Sequence, residues 1–175
     1  MLPRAAVSLL EPNLTLSGSI LALTPALIKH YGLRGLVLDV DDTVISTRSA
    51  VVPPEVKVWM EEIKQVVCVT LVSNNLSHAR IRRVAGVLDL PYIFGARKPS
   101  RRKVRQAVSA MNLPLHEVGM VGDRLFTDVL VGNRLGMFTV LVEPMMDSKN
   151  SRRRMSWLRA FELWLSQVLS ALFKL

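Results

Sequence analysis

Leu36-Val37-Leu38-Asp39-Val40-Asp41-Asp42-Thr43 is the stretch on which the reading of this chain turns. Aliphatic residues cut off by acids read as a buried parallel strand, Leu36 to Val40, that ends at a polar site. Three carboxylates within four residues repel one another, and at the end of an apolar run they cost folding free energy. A bound divalent cation removes that penalty. An acidic turn built on Asx-type hydrogen bonds is the alternative for this segment taken alone.

Working outward, the same pattern recurs. Upstream, residues 1–16 read as an irregular arm, and Ser17 to His30 as a short amphipathic helix with Ile20, Leu23, Leu27 and Ile28 on one side and Gly32 after it. Downstream, Pro53 to Gln65 reads as a helix opened by prolines. Val66 to Val72 is a second buried strand, ending at Ser73-Asn74-Asn75. Ser77 to Leu88 is a helix with Arg80, Arg82 and Arg83 on its polar side. Tyr92 to Phe94 is a short strand and Ser100 to Met111 a basic helix. Val118 to Val121 is a strand running into Gly122-Asp123, Phe126 to Leu135 is a helix, and Phe138 to Val142 is the last strand. Strands alternating with helices predict an α/β, Rossmann-like three-layer fold, its parallel sheet covered by helices on both faces. Ligands of such sheets sit at the carboxyl ends of the strands, where the polar clusters of this chain fall.

The 175 residues suit one domain, taken as residues 1–150 with the N-terminal arm, followed by a separate segment, 151–175. Half of the chain is hydrophobic, which excludes disorder of the whole. Lys and Arg number 23 against 14 acids, a net charge of +9 that points to an anionic partner: nucleic acid, an acidic lipid surface or a phosphorylated substrate. The single cysteine, Cys68, excludes disulfides and Cys-based metal sites, and its apolar neighbours predict a buried packing residue. Glu11-Pro12 directly after Leu9-Leu10 argues against a signal peptide, and no run of about 18 apolar residues occurs, so the cytoplasm is the expected compartment.

Three further elements join the acid cluster. Ser73 ends a strand, where its hydroxyl and the N–H groups of the following turn suit a phosphate oxygen. Lys98, before Pro99, offers a compact ammonium to a phosphoryl group. In Gly122-Asp123-Arg124-Leu125-Phe126-Thr127-Asp128 the glycine permits a sharp turn, and two acids five apart can reach one metal site. Each alone is weak. In this order, each after its own strand, they are not.

Over residues 33–143 the sequence resembles the haloacid-dehalogenase-like phosphatase superfamily. That resemblance implies that Asp39 is the nucleophile, forming an aspartyl-phosphate, and that Asp41 is the general acid/base. Ser73, Lys98 and the turn residue Asn74 hold the phosphoryl oxygens, Thr43 supports the loop, and Asp39, Asp41, Asp123 and Asp128 form a magnesium site. The physics agrees: a carboxylate attacks a phosphate dianion only when charge is neutralised, and oxygen-only ligands favour Mg²⁺ over zinc. Between Thr43 and Ser73, once a helix is placed, only Val44 to Val52 remains for a small flap, and the gap from Ser73 to Lys98 is already filled. No cap domain is therefore expected, and an open site suits a phosphate carried on something large.

Finer details narrow the family. Leu10-Glu11-Pro12, Ile20, Thr24-Pro25, Tyr31-Gly32-Leu33-Arg34-Gly35 and the stretch from Val121 to Met137 are similar to the YqeG family of small uncapped bacterial phosphatases, over residues 10–145. In that family Asn commonly stands where this chain has Asp42, and Gln often where it has Arg124. The family is related to phosphatases of phosphatidylglycerophosphate, so the resemblance implies a lipid-borne phosphate as substrate. Arg97, Arg101, Arg102, Lys103 and Arg105 flank Lys98 and suit an anionic bilayer or headgroup.

Residues 152–175 begin with three arginines and continue with Leu158, Phe161, Leu165, Val168, Leu169 and Leu172 at helical spacing, with Trp157 and Trp164 among them. This predicts a basic amphipathic helix that lies on an anionic membrane surface, packs on the domain or meets a second subunit. Two other functions compete with the lipid phosphatase: a phosphatase for soluble nucleotide, sugar or RNA-end phosphates, and an RNA- or ribosome-associated binding module on the same fold. No aromatic-interleaved RNA motif supports the last.

Overall fold

The strand quoted above sits at the centre of the sheet because its residues are apolar on both faces. In the computed structural model, which describes residues 9–49 and 51–145, Gly35–Leu38 forms β2 and is buried throughout. It pairs in parallel with β3 (Cys68–Val72) on one side and β5 (Val118–Gly122) on the other, Leu36 standing beside Val69 and Gly119. With β1 (Leu14–Thr15), β4 (Tyr92–Ile93) and β6 (Phe138–Leu141) these make one parallel sheet in the order β1-β6-β5-β2-β3-β4. The chain builds outward from β2 to β4, then crosses back to β5. The order thus reverses beside β2, and the crevice at that switch point is where such sheets bind ligands.

Side-chain alternation decides the layers. Leu36, Leu38, Val69 and Leu71 face one core, with α1 (Pro25–His30), α2 (Pro54–Lys64) and α3 (His78–Leu88). Val37, Val72 and Met120 face the other, with α4 (Arg101–Ala110) and α5 (Leu130–Leu135). Helix α2 buries Val56, Trp59, Met60 and Ile63, and α3 buries Ile81, Val84, Ala85 and Leu88. Both follow the i, i+3, i+4, i+7 stripe of a helix docked by one face. Each large aliphatic side chain so buried stabilises the fold by roughly 1.5–3 kcal/mol. Trp59 donates its indole N–H to the Leu23 carbonyl at 2.8 Å, so its burial leaves no orphan donor.

The three-layer α/β architecture is as expected, and β2 and β3 are joined by only a short flap and α2, β3 and β4 by α3 alone. Four local expectations are corrected. Ser17 to His30 is not one helix: a 3₁₀ turn, Ile20–Ala22, precedes α1, because Pro25 has no N–H to continue it and Thr24 caps the new start, its Oγ1 accepting from the Leu27 N–H at 3.3 Å. The arm is not wholly irregular, since Leu14 and Thr15 pair with Val140 and Leu141. Asn13 secures that edge, accepting from the Thr139 N–H at 2.8 Å while its own N–H donates to Thr139 Oγ1 at 3.0 Å. Cys68 is exposed, opening β3 at the sheet's amino edge. Finally, Phe126 to Leu135 is divided into a π turn, Leu125–Val129, and α5. The amphipathic segment expected over 152–175 lies outside the described residues.

Candidate active site

All the singled-out residues follow strands that point the same way, so the sheet delivers them to one edge. Asp39 is the first residue beyond β2; its N–H donates to the Val121 carbonyl at 2.9 Å, which ties it to β5. Lys98, on the segment after β4, reaches across with its Nζ 2.6 Å from Asp39 Oδ1 and 2.7 Å from Asp128 Oδ1. All three side chains are buried. The lysine is positioned by its backbone. Its N–H donates to Asn74 Oδ1 at 2.7 Å, and Asn74 Nδ2 donates back to the Lys98 carbonyl at 3.1 Å. Asn74, expected among the phosphate-binding groups, thus spends its amide on a reciprocal clamp between the β3 and β4 loops.

The β5 loop supplies Asp123 and Asp128. Thr43 donates from Oγ1 to Asp123 Oδ1 at 3.3 Å. Asp128 folds back over Gly122: a Cβ built there would lie 2.3 Å from Asp128 Oδ2, so only a hydrogen fits. The Arg124 N–H donates to the same Oδ2 at 3.3 Å.

One carboxylate oxygen from each of Asp39, Asp123 and Asp128 falls within 4.8 Å of the other two. Burial pushes the Asp39 carboxyl up to about 6, against the Lys98 ammonium and with help from Asp128. Burial pushes Asp123 up to about 7, and the Asp128 and Asp39 carboxylates add to this. For Lys98, burial alone would lower the pKa, but the Asp128 and Asp39 carboxylates outweigh it, and the ammonium is held above its ordinary value. Asp128 Oδ1, though within ion-pairing distance of Lys98, lies outside hydrogen-bond geometry and has no hydrogen-bond partner among the described residues. Three buried carboxylates face one buried ammonium and, 3.7 Å from Asp123, the half-exposed Arg124 guanidinium. Negative charge therefore exceeds positive, and one buried oxygen is left unbonded among the described residues. A divalent cation with hard oxygen ligands, such as Mg²⁺, fits that set.

Asp41, expected among the metal ligands, is not part of this triad. Its carboxylate points to the β3 side, where Oδ2 accepts from the Ser73 hydroxyl at 3.1 Å and Oδ1 from Arg80 Nε at 3.2 Å. Ser73 is fully buried and its Oγ also accepts from the Asn75 N–H at 2.9 Å. Asp42 turns the chain away with φ 63° and holds the flap, its Oδ1 accepting from the Thr47 N–H at 2.9 Å and the Thr47 hydroxyl at 3.0 Å. Asp and Asn tolerate that left-handed conformation better than most residues.

The chain is 36% identical over 131 residues to the probable phosphatase YqeG of Bacillus subtilis (strain 168), an overlap covering 74% of this chain and 76% of that protein. The chain belongs to the YqeG family of haloacid-dehalogenase-like phosphatases. A HAD-hydrolase-like family model matches residues 95–152 of this phosphatase, the part that carries Lys98, Asp123 and Asp128. It is also 31% identical over 127 residues to phosphatidylglycerophosphate phosphatase 1, chloroplastic/mitochondrial, of Arabidopsis thaliana, covering 67% of this chain but 36% of the plant protein. Among solved structures, an uncharacterized protein from Listeria monocytogenes serotype 4b superposes with a TM-score of 0.50 at 18% identity, over 73% of this chain and 99% of that one, a likeness of fold.

Sequence reasoning missed the role of one residue of this YqeG-family site. Arg80, assigned only to the polar side of a helix, reaches Asp41 and the flap. The one available signal was an arginine one helical turn after the Ser73-Asn74-Asn75 loop.

Proposed function

We propose that this phosphatase hydrolyses phosphate monoesters through an aspartyl-phosphate on Asp39, and that its substrate is phosphatidylglycerophosphate. The observation that carries the reading is the pairing of Asp39 with Lys98 inside a buried carboxylate triad that also contains Asp123 and Asp128. An Asp39 oxygen attacks phosphorus as the bond to the leaving alcohol breaks, and Asp41 gives that oxygen a proton. Asp41 then takes a proton from water, whose oxygen displaces Asp39 and releases inorganic phosphate. Lys98 holds the phosphoryl oxygens, joined by the Ser73 hydroxyl when its single proton turns from Asp41 to the substrate. Asp39, Asp123 and Asp128 would hold magnesium, which when bound would supply charge neutralisation for attack on an anionic ester.

The lipid reading is supported by the activity for which the Arabidopsis relative is named and by the rim of the site. Val51, Leu76, Phe94 and Phe126 are 72%, 74%, 39% and 58% exposed. All four lie on segments that leave the carboxyl ends of β2 to β5, around an opening that no cap closes among the described residues. Exposed Arg48, Arg97 and Arg124 stand among them. Apolar tips interleaved with arginines suit the interface of an anionic bilayer. No helix of the described residues is long and apolar enough to cross a membrane, so contact would be peripheral, with residues 152–175 as a further candidate anchor.

The test is phosphate release from phosphatidylglycerophosphate in mixed micelles with Mg²⁺, wild type beside Asp39→Asn. Release that disappears in Asp39→Asn supports both parts. Hydrolysis of soluble nucleotide, sugar or RNA-end phosphates without lipid turnover would remove the lipid and leave the mechanism.

A further inference from the structure

Arg80 is 17% exposed at its side chain and sits at the first turn of α3, directly behind the flap. Its guanidinium contacts three groups from the chain that follows β2. Nε and Nη2 lie 3.2 and 3.1 Å from Asp41 Oδ1. Nη2 also donates to the Ser46 carbonyl at 3.0 Å, and Nη1 donates to the Ser49 carbonyl. The opposite oxygen of Asp41 is held by the Ser73 hydroxyl. The flap itself is closed on the acid loop by the Asp42–Thr47 bonds and by the Asp42 N–H donating to the Ile45 carbonyl at 2.7 Å.

The ends of the flap are ordered by burial, Val44, Ile45 and Val52 lying in the core, but Ser46 to Ser49 between them is polar and half-buried or exposed. Two backbone carbonyls converging on one guanidinium supply the order of that middle part. The same cation holds Asp41 Oδ1 between two nitrogens while Ser73 holds Oδ2, and together they restrain the direction of the carboxylate as well as its distance. One side chain spans acid and flap together.

We propose that Arg80 is a positioning residue for the reaction: it holds the Asp41 carboxyl in line with the leaving-group oxygen and couples that orientation to the Ser46–Ser49 flap. The proposal rests on the assignment of Asp41 as the general acid. It predicts a signature that loss of fold does not produce. Protonation of the leaving oxygen matters for an alkoxide and hardly at all for a nitrophenolate, which departs unassisted.

The experiment compares kcat/KM for wild type, Arg80→Met, Arg80→Lys and Asp41→Asn on an alkyl phosphate and on 2,4-dinitrophenyl phosphate. That ratio reports the steps up to departure of the alcohol and excludes the later attack of water that Asp41 also assists. Arg80→Met should lose about 30-fold or more on the alkyl ester and no more than about threefold on the activated ester, a fraction of the total effect expected of a general acid. Arg80→Lys keeps the charge without the fork and should recover part of the loss. Amide hydrogen exchange at residues 46–49 should quicken in Arg80→Met. Equal losses on both esters, or none on either, would overturn the proposal, as would a leaving-group-dependent loss in Asp41→Asn without one in Arg80→Met. A leaving-group-independent loss in Asp41→Asn would instead remove the general-acid reading on which it stands. A melting temperature unchanged in Arg80→Lys separates these outcomes from unfolding.

Discussion

The Asp128 carboxylate lies against the Cα of Gly122, so close that a methyl group on Gly122 would come within 2.3 Å of Oδ2. Six residues apart in sequence, the two are in contact because β5 ends at the glycine and the π turn folds back over it. Gly122→Ala should therefore displace Asp128 rather than merely strain the backbone. Misplacement of a reacting group by an ångström can cost about 100-fold, and a loss of that order in turnover is expected, with weaker Mg²⁺ binding in calorimetry. Wild-type magnesium affinity in the alanine variant would rule out this reading of the glycine.

Lys98 compensates two buried carboxylates at once. Lys98→Ala removes the phosphoryl-binding ammonium and leaves Asp39 and Asp128 facing each other. Breaking a buried ion pair costs about 3–5 kcal/mol, and a loss toward that size is expected at pH 7.5 in urea unfolding with chelator present. Added Mg²⁺ should restore part of it, while turnover stays depressed. Normal kinetics in Lys98→Ala would overturn the assignment of this residue.

Stability of the metal-free protein should fall as pH rises between about 4 and about 7. Asp39 and Asp123 have folded-state values of about 6 and about 7, above the 3.8 of an unperturbed Asp. Within that window the folded chain holds more protons than the unfolded one, and stability then decreases with pH. Lys98 stays charged throughout, so it does not alter the slope. Magnesium competes with those protons, so the rise in melting temperature on adding Mg²⁺ should be larger at pH 7.5 than at pH 5.5. Scanning calorimetry with chelator and with Mg²⁺ at the two pH values checks both signs.

Asn74 makes two hydrogen bonds with the backbone of Lys98 and, among the described residues, none with a neighbouring side chain. Asn74→Ala should lower turnover by about tenfold through misplacement of the ammonium, at a stability cost near 1–2 kcal/mol for the two lost bonds. Steady-state kinetics and urea unfolding measure the pair of effects. A change confined to KM would return Asn74 to direct phosphate binding.

Leu76 is 74% exposed on the loop after β3. Leu76→Ser should change stability by less than about 0.5 kcal/mol, as exposed substitutions do. If the rim meets a bilayer, turnover of micelle-borne phosphatidylglycerophosphate should drop several-fold in Leu76→Ser, while a soluble aryl phosphate is hydrolysed as before.

Much of the fold was legible because local signals agreed. Leu36 to Leu38 is apolar without alternation, which marks a strand buried on both faces, and α2 and α3 carry their apolar residues at helical spacing. The places where the reading failed are places where a distant partner decides. Leu14–Thr15 is a strand because β6 offers it an edge. Cys68 is exposed although its neighbours are apolar, because it stands at the end of its strand. The π turn forms where Asp128 folds back over Gly122.

For the site, the sequence by itself determined which side chains meet. In a parallel sheet the residues after each strand share one edge, so Asp39, Ser73, Lys98 and Asp123 were bound to converge once their strands were recognised. What each side chain does at that edge was decided only by tertiary structure. The sequence cannot say that Asp41 leaves the triad for Ser73 and Arg80, or that Asn74 spends its amide on Lys98. Strand order delivers a residue to within several ångströms, whereas a hydrogen bond is settled within a few tenths of one. That last distance is set by loops whose course depends on partners 24 to 39 residues away.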